Sequence, residues 1–147
     1  MDWTNSKVSF EPWQGSEYRA GIAGRRVLIL GESHWHSCDV DPKCADENAR
    51  ADHHRSLTFT TVNLWKDHGH SSPVSRLVPR LFGMTKPDFW QHVVFYNYLQ
   101  TFAGPGARCR PKEEQWTDDS AEASQTVLDR FEPDRILVLG KDTWTVR

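Results

Sequence analysis

The chain is 147 residues long, the size of one domain, and long enough to bury a core of its own. Its 18 basic and 20 acidic residues nearly cancel, which excludes a chain-wide basic surface and leaves only a local footprint for nucleic acid. No apolar run reaches the length of a membrane span, and the first ten residues are too polar for a signal peptide.

Three cysteines, Cys38, Cys44 and Cys109, stand at no disulfide-like spacing, so a reducing, cytoplasmic setting is expected. Residues 1–25 place Trp3, Phe10, Trp13 and Tyr18 among polar residues, with Pro12, Gly15, Gly21 and Gly24 as punctuation. No period of two or 3.6 is sustained there. The expectation is a lead-in that packs aromatics onto a single α/β domain spanning 26–147.

That domain opens with Val27–Leu30, an unbroken apolar run of the kind found in strands buried on both faces. Gly31, Glu32, Ser33, His34, Trp35 and His36 follow at once. In open α/β sheets ligands bind at the carboxyl ends of strands, so this polar and aromatic cluster marks a candidate site. Asp46 reads as the cap of a helix running from Glu47 toward Trp65, although Thr58, Thr60, Thr61 and Val62 weaken helix propensity. Ser72-Pro73 reads as an N-cap followed by proline at the first helical position. Val74, Leu77, Val78 and Leu81 then share one face, Pro79 is a candidate kink, and Gly83 is the stop.

A short helix around Pro87–Gln91 precedes a second strand, His92–Leu99, in which Asn97 is out of character for a central strand. Residues 103–112 form a Gly/Pro loop bearing Arg108, Arg110 and Lys112. A helix is expected over 112–131, with Trp116, Ala123, Val127, Leu128 and Phe131 on its buried face. Asp134–Leu139 is a third buried strand, and Lys141–Arg147 begins another helix. Strands alternating with helices predict a short parallel sheet with right-handed crossovers.

Three separated blocks, in order, resemble motifs of the uracil-DNA glycosylase superfamily. L-I-L-G-E-S-H-W-H at 28–36 is similar to its strand-ending motif, where Gly and Gln or Glu precede a water-binding position. Uncharacterised bacterial members of the group carry G-E-S-H followed by an aromatic. V-V-F-Y-N-Y-L at 93–99 is similar to the strand that ends in a base-reading Asn. R-C-R-P-K-E-E-Q-W at 108–116, a helix, and F-E-P-D-R-I-L-V-L-G-K at 131–141 resemble the family's R-P-T-x-E-E and K-P-x-x-I-V-x-L-G block.

The resemblance implies a three-layer α/β/α fold, and DNA with a flipped base as partner. It places Glu32 at the floor of a base pocket and Ser33 where several members have Asp. Trp35 would stand where an aromatic crowds the pyrimidine. Asn97 would offer an amide to the Watson–Crick edge of the base, with Phe95 or Tyr96 stacking nearby. The family's later His-Pro-Ser-type motif does not occur before Arg147, so a C-terminally truncated form of the fold is expected and catalysis stays open.

Glycosidic cleavage passes through an oxocarbenium-like state, so a carboxylate must face the sugar and a donor must face the departing base. Glu32 is the carboxylate, and His34 and His36 are the candidate donors. Arg108, Arg110 and Lys112 would contact phosphates. Each has a plainer alternative: Glu32 capping a turn, Asn97 bonded to backbone, the cations on a solvated loop.

No cofactor is expected. The competing chemistry is zinc, held by a set drawn from His34, His36, Cys38, Cys44, His53 and His54. The competing function is a non-catalytic binder on the same scaffold. If the third strand is an open sheet edge, pairing with a second copy or a partner chain is expected there.

Overall fold

The computed structural model describes residues 2–36, 47–67, 72–106, 109–140 and 143. The elements are β1 (Trp13–Gln14), β2 (Val27–Gly31), α1 (Glu47–Asp67), α2 (Pro73–Leu81), α3 (Lys86–Gln91), β3 (Val93–Asn97), a 3₁₀ turn (Glu113–Gln115), α4 (Asp118–Phe131) and β4 (Arg135–Val138). They make a mixed α/β structure around one four-stranded sheet of order β1-β3-β2-β4.

The expected all-parallel sheet is corrected to a mixed one. β2 runs parallel to both β3 and β4, as the alternation of strands and helices requires. The addition is β1, which pairs antiparallel with β3 through Trp13 opposite Phe95 and Gln14 opposite Val94. Two residues carry no readable period, which is why this strand is hidden in the sequence. The register continues into Gly15, whose amide donates to the Val93 carbonyl at 3.0 Å.

Alternation along β2 and β3 sorts their side chains into two cores. Leu28, Val94 and Tyr96 pack with Trp3, Tyr18 and the α4 residues Ala123, Val127 and Phe131. Val27, Ile29, Val93 and Phe95 pack with Val62 of α1, Val78 of α2, and Phe89 and Trp90 of α3. The sheet is thus covered by α4 and the N-terminal segment on one side and by α1, α2 and α3 on the other. Among the described residues no helix is long and apolar enough to cross a membrane.

α2 forms where its capping signals stand. The Ser72 side chain accepts from the Ser75 amide, the Ser75 side chain accepts from the Ser72 amide, and Pro73 takes the first helical position. α4 begins later than expected. Thr117 caps it, the 3₁₀ turn precedes it, and Trp116 lies between the two and packs on Tyr98 at 5.7 Å. It ends at Glu132, which adopts a left-handed conformation (φ 47°) before Pro133.

β4 is the edge of the described sheet, not a buried strand, and Ile136 is 44% exposed. Its start is fastened to the start of β2. The Arg26 amide donates to Asp134 Oδ2 at 2.8 Å, and the Arg26 guanidinium lies 3.2 Å from Glu132 and 3.4 Å from Asp134. The helix expected from Lys141 to Arg147 lies outside the described residues except at Thr143.

Candidate functional site

β2 and β3 end side by side, with Gly31 opposite Asn97. The pairing does not stop there. The Tyr98 amide donates to the Gly31 carbonyl at 2.9 Å and the Leu99 amide to the Glu32 carbonyl at 3.0 Å. Further on, the Ala103 amide donates to His34 and the His36 amide to Gly104. The two segments that leave the strands are laced together, so the side chains on them are held by backbone.

Asn97 is buried, and its carboxamide lies over Gly31. A β-carbon on residue 31 would sit 2.0 Å from Asn97 Oδ1 and 3.3 Å from the Phe95 ring. Only glycine allows the amide this place. Among the described residues that carboxamide makes no hydrogen bond to protein. The backbone around it is fixed by Gln100, which donates to the Asn97 carbonyl at 3.0 Å and accepts from the Ser9 and Phe10 amides. Gln100 was not singled out from sequence, because nothing local marks a residue whose partners lie ninety positions away.

Of Phe95 and Tyr96, it is Phe95 that shares the face of Asn97. It is only 3% exposed and packed at 5.3 Å from Trp65 and 5.7 Å from Trp90, so almost none of its ring is open for stacking. Tyr96 lies in the opposite core, its hydroxyl buried and unpaired, and burial raises its pKa well above the usual phenol value.

Glu32 leans the other way, toward the end of β4. A β-carbon on Gly140 would meet Glu32 Oε2 at 3.2 Å and Thr143 Oγ1 at 3.4 Å. Glu32 Oε1 lies 3.5 Å from the Arg110 guanidinium, which is 80% exposed. Glu32 Oε2 and Thr143 Oγ1 are both buried without a hydrogen-bond partner. Glu32 and Asn97 therefore stand at one end of the sheet, on either side of Gly31, but reach in different directions from it.

His34 and His36 turn away from Glu32 toward α1. His34 is buried, its Nε2 lies 3.1 Å from the Thr58 hydroxyl, and its ring packs 4.8 Å from Phe10. Burial pushes its pKa down to about 3, so it is a neutral core imidazole at physiological pH. His36 stacks near His53 (4.8 Å), His54 (5.9 Å) and Phe102 (5.5 Å). The zinc set is thereby divided, with His34 committed elsewhere. Among the described residues no three His, Cys, Asp or Glu side chains are placed to hold a metal ion, and Cys38 and Cys44 lie outside those residues.

Trp35 is on the surface, 53% exposed, and Ser33 is half-buried. Arg110 and Lys112 line a groove of about 630 Å³ together with Phe102, Gly104, Cys109 and Gln115. Neither Glu32 nor Asn97 lines that groove, which adjoins the strand ends through Arg110. Arg108 lies outside the described residues.

Comparison with family models, with curated proteins and with solved structures returned no match.

Proposed function

We propose that this chain binds a nucleobase turned out of a DNA strand and hydrolyses its N-glycosidic bond, on a uracil-DNA glycosylase-like scaffold. The observation that carries the reading is Asn97 over Gly31. The carboxamide makes no hydrogen bond to protein among the described residues and its polar atoms are not sealed from solvent, so its donor and its acceptor are both available to a base edge, which offers the complementary pair. Glu32 follows Gly31 directly, and a carboxylate there serves the sugar cation of the transition state.

Arg110 and Lys112 supply the local basic footprint. Their present partners are Glu32 and, at 3.8 Å, Glu114. The Lys112–Glu114 pair is exposed on both sides and worth little, so the lysine can exchange onto a phosphate at small cost, whereas moving Arg110 takes the cation away from a half-buried Glu32 carboxylate.

The test is incubation with uracil-containing single- and double-stranded DNA followed by alkali, which reveals abasic sites. Glu32→Gln and Asn97→Ala are each expected to lower the cleavage rate by about 10²-fold or more while the melting temperature stays close to wild type. Absence of cleavage by wild type on uracil, hypoxanthine and xanthine substrates would end the catalytic reading.

One observation favours a second reading, binding without cleavage. The contacts of His34 and His36 run to α1 and Phe102, which leaves the departing base without an imidazole from that segment. On that reading uracil-containing DNA raises fluorescence anisotropy in a salt-dependent way, and no abasic sites form.

A further inference from the structure

We infer that the outward face of α2 docks onto the outward face of α4 of a second copy of this chain, so that copies associate head to tail. This contact is independent of the reaction proposed above.

α2 buries Ser75, Val78 and Pro79. It leaves Arg76, Leu77, Arg80 and Leu81 outside, with Leu77 49% and Leu81 74% exposed. Residues four apart lie one above the other on a helix, about 6 Å along its axis. The face therefore carries two adjoining rows, one of arginines and one of leucines.

Neither row serves α2 itself. Like charges four apart repel, and α2 contains no acidic residue to offset them. Among the described residues neither arginine makes an ion pair. The leucine row leaves contiguous apolar surface in water.

α4 presents the opposite sign at the same spacing. Asp118 and Glu122 are exposed and four apart, and among the described residues they too make no ion pair. Ala121 is exposed beside them, and its small side chain leaves room for a leucine. Laid antiparallel, Arg80 meets Asp118 and Arg76 meets Glu122, and the two helix dipoles also run opposite. Each charged row then relieves the self-repulsion of the other, and the leucines are withdrawn from water over Ala121.

α2 packs on one side of the sheet and α4 on the other. A closed pair of copies therefore cannot make both contacts. The interface is heterologous, and growth through it is open-ended. Exposed ion pairs hold it, so it is weak and screened by salt.

Sedimentation velocity from micromolar to millimolar protein in low salt is expected to show a mass that climbs past two copies. In molar salt it should return to that of one copy. Arg76→Glu/Arg80→Glu and Asp118→Lys/Glu122→Lys are each expected to stay single at every concentration, with far-ultraviolet circular dichroism unchanged. All four reversals together restore the wild-type net charge of −2 with both rows inverted, and self-association is expected to return. Leu77→Ser/Leu81→Ser is expected to move its onset about tenfold or more higher in concentration.

Wild type that stays single throughout, or association that stops at two copies, overturns the inference. So does association undiminished in Arg76→Glu/Arg80→Glu, or a folded fourfold variant that does not regain it. Binding of wild type to phosphatidylcholine–phosphatidylserine vesicles without self-association gives the stripe to an anionic lipid surface and overturns it as well.

Discussion

His34 shows how a residue that looks catalytic in sequence becomes a structural one through burial. With its Nε2 at the Thr58 hydroxyl and its ring on Phe10, it cannot take a proton without carrying a charge into the core. Its pKa falls to about 3 when folded against 6.5 when exposed. Between those values the unfolded chain binds the extra proton, so stability is full above about 6.5 and declines as pH falls toward 3. The limiting slope for one such group is about 1.4 kcal/mol per pH unit. Denaturant titrations across that range are expected to show this slope in wild type and a flatter profile in His34→Gln. An unchanged slope would mean that His34 titrates freely.

Asp134 gives way in a lower window. The Arg26 amide and guanidinium bonded to its carboxylate hold it below the usual value of 3.8, so its contribution persists above that pH and is lost only in stronger acid. Above pH 3.8 only the His34 effect operates, and below it the two overlap.

At the scale of elements, the meeting of β2 and β3 is the feature the site depends on. Gly31→Ala would place a methyl group where Asn97 Oδ1 lies, and would also press on the Phe95 ring. The amide must swing away, at a cost of about 1–3 kcal/mol in stability. DNA binding by this variant, followed by anisotropy beside thermal melts, is expected to fall as far as that of Asn97→Ala. Wild-type binding would show that the amide is not the reader.

This pairing was legible in outline. An apolar run ending in Gly31 and a β-rich run ending in Asn97 are local patterns, and strands that alternate with helices are brought parallel. The start of α2 was legible for the same reason, because Ser72 and Pro73 act on their own neighbours, but its expected apolar face was not borne out, since Leu77 and Leu81 are exposed and Ser75, Val78 and Pro79 are the buried residues. What stayed hidden depends on distant partners. Thr58 and Val62 disfavour a helix locally, yet α1 runs through them, with Thr58 held by His34 and Val62 buried in the core. The apolar spacing through Trp116 extended the expected α4 backwards, but Thr117 starts it.

At the scale of the molecule, the N-terminal segment is part of the body. Trp3, Phe10 and Tyr18 are buried, β1 completes the sheet, and the Trp13 indole donates to the Trp90 carbonyl at 2.8 Å. Losing a buried aromatic costs roughly 3–5 kcal/mol, and a whole domain is stable by only about 5–15 kcal/mol. Deletion of residues 2–20 is therefore expected to abolish cooperative unfolding, as read by calorimetry or near-ultraviolet circular dichroism. A shortened chain that melts sharply would show the segment to be dispensable.

The early residues also take their partners from the far end of the chain. The Ser9 amide waits for Gln100, 91 positions on, the Arg26 amide for Asp134, 108 on, and the Tyr18 hydroxyl for the Phe131 carbonyl, 113 on. A ribosome adding roughly 5–20 residues per second leaves the last of these gaps open for roughly 6–23 s. Throughout that interval a set of bulky rings has emerged from the exit tunnel with nothing to close over it. The nascent polypeptide is then a substrate for holding chaperones until residues 131–134 have emerged to meet Tyr18 and Arg26.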